Sequence, residues 1–177
     1  TVDGFVLDGD NPDLSTGLSM GAADPDVDTG VFASGSNIHF VNNEVRNLVY
    51  AGFYGYNSAT ATPAREGNVV AHNWIHNLDA PSQFGVGIGV LWNYYADIHD
   101  NLVTDARVGI QTNYFFKTAP VPADARIAEN TVRASSVGIY HNYHVNDSSQ
   151  PSPFTISGND VGAVHNDDAV GPWAGIH

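Results

Sequence analysis

Several groups of residues in this chain have types and spacings that could do chemistry. The stretch DGDNPD brings Asp8, Asp10 and Asp13 together, and DPDVD does the same for Asp24, Asp26 and Asp28. Alternating carboxylates in one loop suit a calcium ion, which takes six to eight oxygen ligands; the competing reading is a solvated acidic loop. Aromatic residues crowd GFYGYN, GIGVLWNYY, GIQTNYFF and GIYHNYHV, with Tyr54, Tyr56, Trp92, Tyr94, Tyr114, Tyr140, Tyr143 and His144 as outward candidates. Rings beside Asn, Gln and His can stack on sugar rings while the amides bond hydroxyls; the alternative is that several fold back over loops. Glycoside hydrolysis would need two carboxylates across one bond. Asp79 and Asp105 share one inter-strand region of neighbouring repeats, and Asp167 and Asp168 are adjacent in HNDD.

Composition narrows the choice. Six Lys and Arg stand against 19 Asp and Glu, a formal net charge of −13. So acidic a surface repels phosphate backbones, which argues against nucleic acid as a partner. The basic residues Arg46, Arg65, Arg107, Lys117, Arg126 and Arg133 are scattered, whereas lyase chemistry on a polyuronate needs a cation cluster and a basic Arg or Lys. With no cysteine there are no disulfides or thiolate metal sites. No apolar run is long enough to span a membrane. Asn146-Asp147-Ser148 is a lone glycosylation sequon. His72 and His76 are four apart, a spacing that would matter only on a helix. His39, His72, His99 and His141 fall at strand positions of different repeats, and most read as surface or turn residues.

The elements that must position these residues emerge when the chain is stacked on itself. Asn43, Asn73, Asn101, Asn130 and Asn159 recur at intervals of 30, 28, 29 and 29 residues. Each follows a short alternating stretch (NIHFVNN, NVVAHN, ADIHDN, ARIAEN, FTISGN) and precedes Glu44-Val45, Trp74-Ile75, Leu102-Val103, Thr131-Val132 or Asp160-Val161. Each repeat then reaches a glycine and an apolar residue: Gly52-Phe53, Gly87-Ile88, Gly109-Ile110, Gly138-Ile139, Gly175-Ile176. A looser copy opens the chain, with Asp8 or a neighbour near the asparagine position and Gly30-Val31-Phe32 in the last slot. Period-2 alternation without helical periodicity predicts three short strands per repeat. Segments 10–29, 57–67, 78–86, 113–124, 142–153 and 162–174 read as the loops between them.

This three-part phrase resembles the right-handed parallel β-helix of the pectate-lyase-like superfamily, over essentially all 177 residues. The resemblance implies one domain, 1–177, of about six coils, with strands of successive coils pairing in parallel. It implies that the five asparagines form an inward ladder, each amide bonding the next, because a buried polar group is tolerable only when satisfied. Ile38, Phe40, Val45, Phe53, Val70, Ile75, Ile88, Val90, Ile98, Val103, Ile110, Ile127, Val132, Ile139, Ile156, Val161 and Ile176 should then stack as aliphatic columns. In lyases of the superfamily the sheet corresponding to the Gly-Ile strands forms the polysaccharide cleft. HNDD also resembles the adjacent aspartates of polygalacturonases, whose other motifs are missing here. DPDVDTG resembles the start of an EF-hand loop, although its glycine comes one place late and no Glu closes it.

The reading is therefore an extracellular or cell-surface module with a structural or adhesive role, non-catalytic and able to contact glycans, with calcium as the candidate ion. The alternative is a carbohydrate-active enzyme (hydrolase, lyase or epimerase) on the Gly-Ile face. The first and last residues fall within strand phrases and no capping helix is evident, so the expectation is a segment of a longer protein, or end-to-end self-association.

Overall fold

Alternating apolar residues and turn-forming Asn, Asp and Gly fold this chain, in a computed structural model, into an all-β protein. The structure describes residues 1–10, 27–58, 63–78, 85–116, 124–145, 154–162 and 174–176; among them there is no helix, and hence none long and apolar enough to cross a membrane. The strands in chain order are β1 (Val2–Asp3), β2 (Val6–Asp8), β3 (Thr29–Ala33), β4 (His39–Val41), β5 (Glu44–Arg46), β6 (Ala51–Tyr56), β7 (Arg65–Ala71) and β8 (Trp74–His76). They continue with β9 (Val86–Leu91), β10 (Tyr94–His99), β11 (Leu102–Phe116), β12 (Arg126–Ala128), β13 (Thr131–Val145), β14 (Thr155–Ser157), β15 (Asp160–Val161) and β16 (Ala174–Ile176).

All strand pairing between these elements is parallel. One six-stranded sheet has the order β1-β4-β7-β10-β12-β14. The other runs β2-β5-β8-β11-β9-β6-β3, with β13 pairing β11, β15 and β16. Each strand thus pairs with its counterpart one sequence repeat away, and the register puts like residues side by side. Phe40, Val70, Ile98, Ile127 and Ile156 form one column. Leu7, Val45, Ile75, Val103, Val132 and Val161 form a second. Val31, Phe53, Ile88, Ile110, Ile139 and Ile176 form a third. From Phe40 to Ile139 the core members of these columns are fully buried.

The glycine before the third column is a packing requirement. A Cβ at Gly52 would sit 2.5 Å from Ile75 Cγ2 and 2.8 Å from the Gly87 carbonyl oxygen. The inner face there is already filled by the second column, so nothing larger fits without displacing backbone.

The asparagines join the repeats. Between the first and second strands of a repeat the chain bends at one residue in the left-handed region: Asn42, His72, Asp100 and Glu129 have φ of 57, 56, 53 and 54°. The next residue is the asparagine, turned inward and buried at Asn43, Asn73, Asn101 and Asn130. Asn101 Oδ1 accepts from the backbone N–H of Asn73 (3.1 Å) and from Asn73 Nδ2 (2.9 Å). Asn101 Nδ2 donates to Asn130 Oδ1 (2.9 Å) and to the Val70 carbonyl (2.8 Å). The same pattern links Asn43 to Asn73 and Asn130 to Asn159. In the first repeat the slot holds Phe5, whose N–H donates to Asn43 Oδ1 at 3.0 Å. Asp8, the residue expected near that slot, lies three places on, in register with Arg46.

Several expected boundaries move. β11 runs on to Phe116 and β13 to Val145, into segments read as loops, because Asn113–Phe116 pair with Asn142–Val145. β7 likewise starts at Arg65, inside another expected loop. In the fourth and fifth repeats the second and third strands merge into single 15-residue strands, with register irregularities between Thr104 and Val108.

Replacing Asn101 by Ala leaves the Asn73 N–H and the Val70 carbonyl buried without these partners. At about 1–3 kcal/mol for each orphaned group, urea unfolding of Asn101→Ala should show a loss of at least about 2 kcal/mol. Asn142→Ala, on the outer face, should stay within about 0.5 kcal/mol of the parent. Equal midpoints for the two variants would contradict the ladder's structural role.

Candidate functional site: an aromatic outer face

Alternation along the third strands decides which aromatic rings face out. With Phe53 buried, Tyr54 and Tyr56 point outward, and register sets Phe32 beside Tyr54 and Leu91 beside Tyr56. The rings of Phe32 and Tyr54 stack with centroids 5.8 Å apart, and those of Tyr54 and Tyr56 at 6.3 Å and an interplanar angle of 14°. Tyr56 meets Trp92 at 4.8 Å, and Tyr50 meets Tyr54 edge-on at 5.3 Å. Phe32 is 62% exposed, whereas Tyr50, Tyr54, Tyr56 and Trp92 are half-buried. Tyr54 leans across Gly89, its neighbour in the next strand. Partial burial, then a hydrogen bond to Tyr50, push its phenol well above the ordinary value, so it stays a neutral hydroxyl.

Along the same face the aromatic row gives way to amides: the outward column through Tyr54 continues with Gly89, Gln111 and Tyr140, and that through Tyr56 with Leu91, Asn113 and Asn142. Tyr140 is half-buried and stands apart from the cluster, its hydroxyl accepting from Asn142 Nδ2 at 3.3 Å. Of the expected outward residues, then, Tyr54, Tyr56 and Trp92 come together and Tyr140 lies further along. The side chains of Tyr143 and His144 lie outside the described set.

Tyr94 and Tyr114 do not face outward; both are fully buried. Tyr114 follows the inward parity of Ile110 and Thr112 and packs against Tyr95 at 5.0 Å and Phe154 at 5.4 Å. The chain bends at Trp92 (φ 61°), so Tyr94 opens the next repeat rather than continuing β9. Its ring fills the space beside Gly55, where a Cβ would lie 2.5 Å from Tyr94 Cε1. His141 also turns inward, half-buried, stacked on Phe154 at 4.2 Å with Nδ1 2.6 Å from Thr112 Oγ1. Desolvation lowers its pKa.

Among the described residues, the ion pairs lie on the other faces. Arg46 Nε donates to Asp8 (2.8 Å) and its Nη1 to Glu44 (2.8 Å), Arg126 grips both oxygens of Asp97, and Arg133 Nη2 bonds Asp160. At least three of the six basic side chains are thus held by carboxylates. Asp8 is an ion-pair and hydrogen-bond partner: Asn47 Nδ2 donates to it at 2.8 Å, as does the Asp10 N–H at 3.1 Å. Burial alone would raise its pKa, but the bonds from Asn47, Asp10 and Arg46 outweigh that and hold the carboxyl below its ordinary value. Among the described residues Asp8, Asp10 and Asp28 belong to no group of three close ligands; Asp13, Asp24 and Asp26 lie outside them. Asp105 is exposed within β11, at its register irregularity, with φ of 51° and its carbonyl accepting from the Leu78 N–H. The other carboxylate candidates, Asp79, Asp167 and Asp168, also lie outside the described residues.

Phe32 and Tyr50 belong to the cluster without having been singled out from sequence. Phe32 was readable, since Gly30-Val31-Phe32 aligns with Gly52-Phe53-Tyr54. Trp74, 44% exposed on β8 and stacked on His76 at 4.1 Å, was not, because its position is an aromatic in only one repeat. No family model, curated protein or solved structure matches this chain.

Tyr94 Oη is buried with no hydrogen-bond partner among the described residues. Tyr94→Phe removes that orphaned hydroxyl and keeps the ring, so its melting temperature should equal or exceed the parent's. A drop of several degrees would show that the hydroxyl has a partner.

Proposed function

We propose that this chain forms a single right-handed parallel β-helix of about six coils that serves as an extracellular or cell-surface structural and adhesive module and holds neutral glycans on its aromatic outer face. The fold reading rests on strand pairing that advances by one sequence repeat at a time and on the asparagine column linking five repeats. Right-handedness follows from the strong preference of parallel crossover connections for that hand.

The observation that carries the glycan reading is the row Phe32, Tyr54, Tyr56 and Trp92, presented side by side on one face. Such rings offer large flat contact area at little cost in side-chain entropy. Gln111, Asn113 and Asn142 continue the face with groups that bond hydroxyls. A neutral sugar fits better than a uronate, because the chain carries −13 and at least three of its cations are already paired. The enzymatic alternative gains little here: of its four carboxylate candidates only Asp105 is described, an exposed residue of β11.

Glycan-array binding of the purified chain, followed by titration of each hit against tryptophan fluorescence and chromatography of the sugar after overnight incubation, tests this. Binding without turnover is expected. A Phe32→Ala/Tyr54→Ala/Tyr56→Ala variant should weaken it at least tenfold, about 1.4 kcal/mol. Unimpaired binding by that variant, or shortened sugar products, would overturn the proposal.

A further inference from the structure

A second surface, at the bend between the first two strands of each repeat, carries a different chemistry. The left-handed residue of that bend recurs at Gly4, Asn42, His72, Asp100, Glu129 and Gly158. Glycine and asparagine adopt this conformation readily; histidine and aspartate are the next most tolerant. Stacked strands lie roughly 4.8 Å apart, so the bend residues of adjacent repeats stand in a row, and His72 and Asp100 are neighbours. His99, the last residue of β10, rises beside them. From sequence His72 and His99 fall at strand positions of different repeats and Asp100 is not singled out; the parallel register brings the three together. One ligand atom from each of His72, His99 and Asp100 lies within 4.8 Å of the other two.

The group is oriented from behind. His99 Nδ1 lies 2.8 Å from Asp100 Oδ2, and its Nε2 is 3.9 Å from Asp97 Oδ2. Asp97 is itself fixed by Arg126, whose Nε and Nη2 donate to its two oxygens at 2.8 and 3.2 Å. At 3.9 Å Asp97 does not hydrogen-bond His99 but places an anchored negative charge beside its Nε2, which favours a cation nearby. The His72 and His99 rings meet edge-on at 5.6 Å, both beside Asp100. His72 and Asp100 are exposed and His99 half-buried, so an ion can reach the group from solvent.

We propose that His72, His99 and Asp100 bind a first-row divalent transition ion of the zinc type, with the remaining coordination positions left to water. Two imidazoles and one carboxylate suit zinc, cobalt, nickel or copper, whereas calcium and magnesium prefer all-oxygen sets. The site uses none of the residues considered for calcium or for the aromatic face, and it does not depend on glycan binding.

Calorimetric titration of the tag-free, chelator-treated chain with Zn²⁺ tests it. One ion per chain should bind, and a large excess of Ca²⁺ should not displace it. His72→Asn and Asp100→Asn keep a residue that tolerates the left-handed bend and should each weaken binding at least tenfold. His39→Asn, on β4 outside the group, should leave it unchanged. A measurement on the unaltered chain guards against misfolded variants: sub-stoichiometric Co²⁺ should broaden the imidazole resonances of His72 and His99 before those of His39 and His76. Absence of saturable one-to-one binding, parent-like affinity in both bend variants, or equal broadening of all four histidines would each overturn the site.

Discussion

A buried amide has three or four hydrogen-bonding positions, and in this chain the structure around it follows from the need to fill them. Asn73, Asn101 and Asn130 sit inside the protein, where an unpaired N–H or C=O costs about 1–3 kcal/mol. Each is satisfied chiefly by the asparagine one repeat on and by a carbonyl one repeat back. The partner exists only if successive repeats stack without slipping. A one-residue slip would turn every side chain to the opposite face and strand the amides as well. The asparagines therefore fix the register, and the register aligns the apolar columns, forces glycine at Gly52 and decides which rings of the third strands reach solvent.

The repeat was legible because it is written three times over in each unit: the asparagine, the apolar pair after it, and the glycine-apolar step. The positions of Val45, Ile75, Val103 and Val132 in one column follow directly from it. What could not be read was where one strand ends and the next begins. Tyr94 looked like a continuation of the Gly-Ile strand, but the bend at Trp92 hands it to the next repeat and to the interior. Tyr114 was legible in principle, since counting in twos from Ile110 places it inside. Phe5 hid the first ladder position because its contribution is a backbone N–H, which any residue supplies. His72, His99 and Asp100 are separated by 27 residues or adjacent in sequence, and only the shared bend position of His72 and Asp100 relates them.

Charge follows the same geometry. Asp8 with Arg46, Asp97 with Arg126 and Arg133 with Asp160 are pairs between neighbouring repeats, made possible by parallel stacking. Exposed pairs of this kind add little stability on their own. Their consequence is distribution: at least half of the few cations are tied to the faces that also carry Glu44 and Asp100, while the outer face of the third strands presents rings and amides. The proposed glycan surface and the proposed metal group thus occupy different sides, each made by residues that the ladder brings into register.

The ladder is open to direct observation through its side-chain amide protons. Hydrogen exchange of the Asn Nδ2 groups, followed by nuclear magnetic resonance, should show Asn73, Asn101 and Asn130 protected to the level of the central backbone amides, with Asn142 exchanging much faster. Exchange of the three buried amides at the rate of Asn142 would contradict the claim that they hold the repeats together.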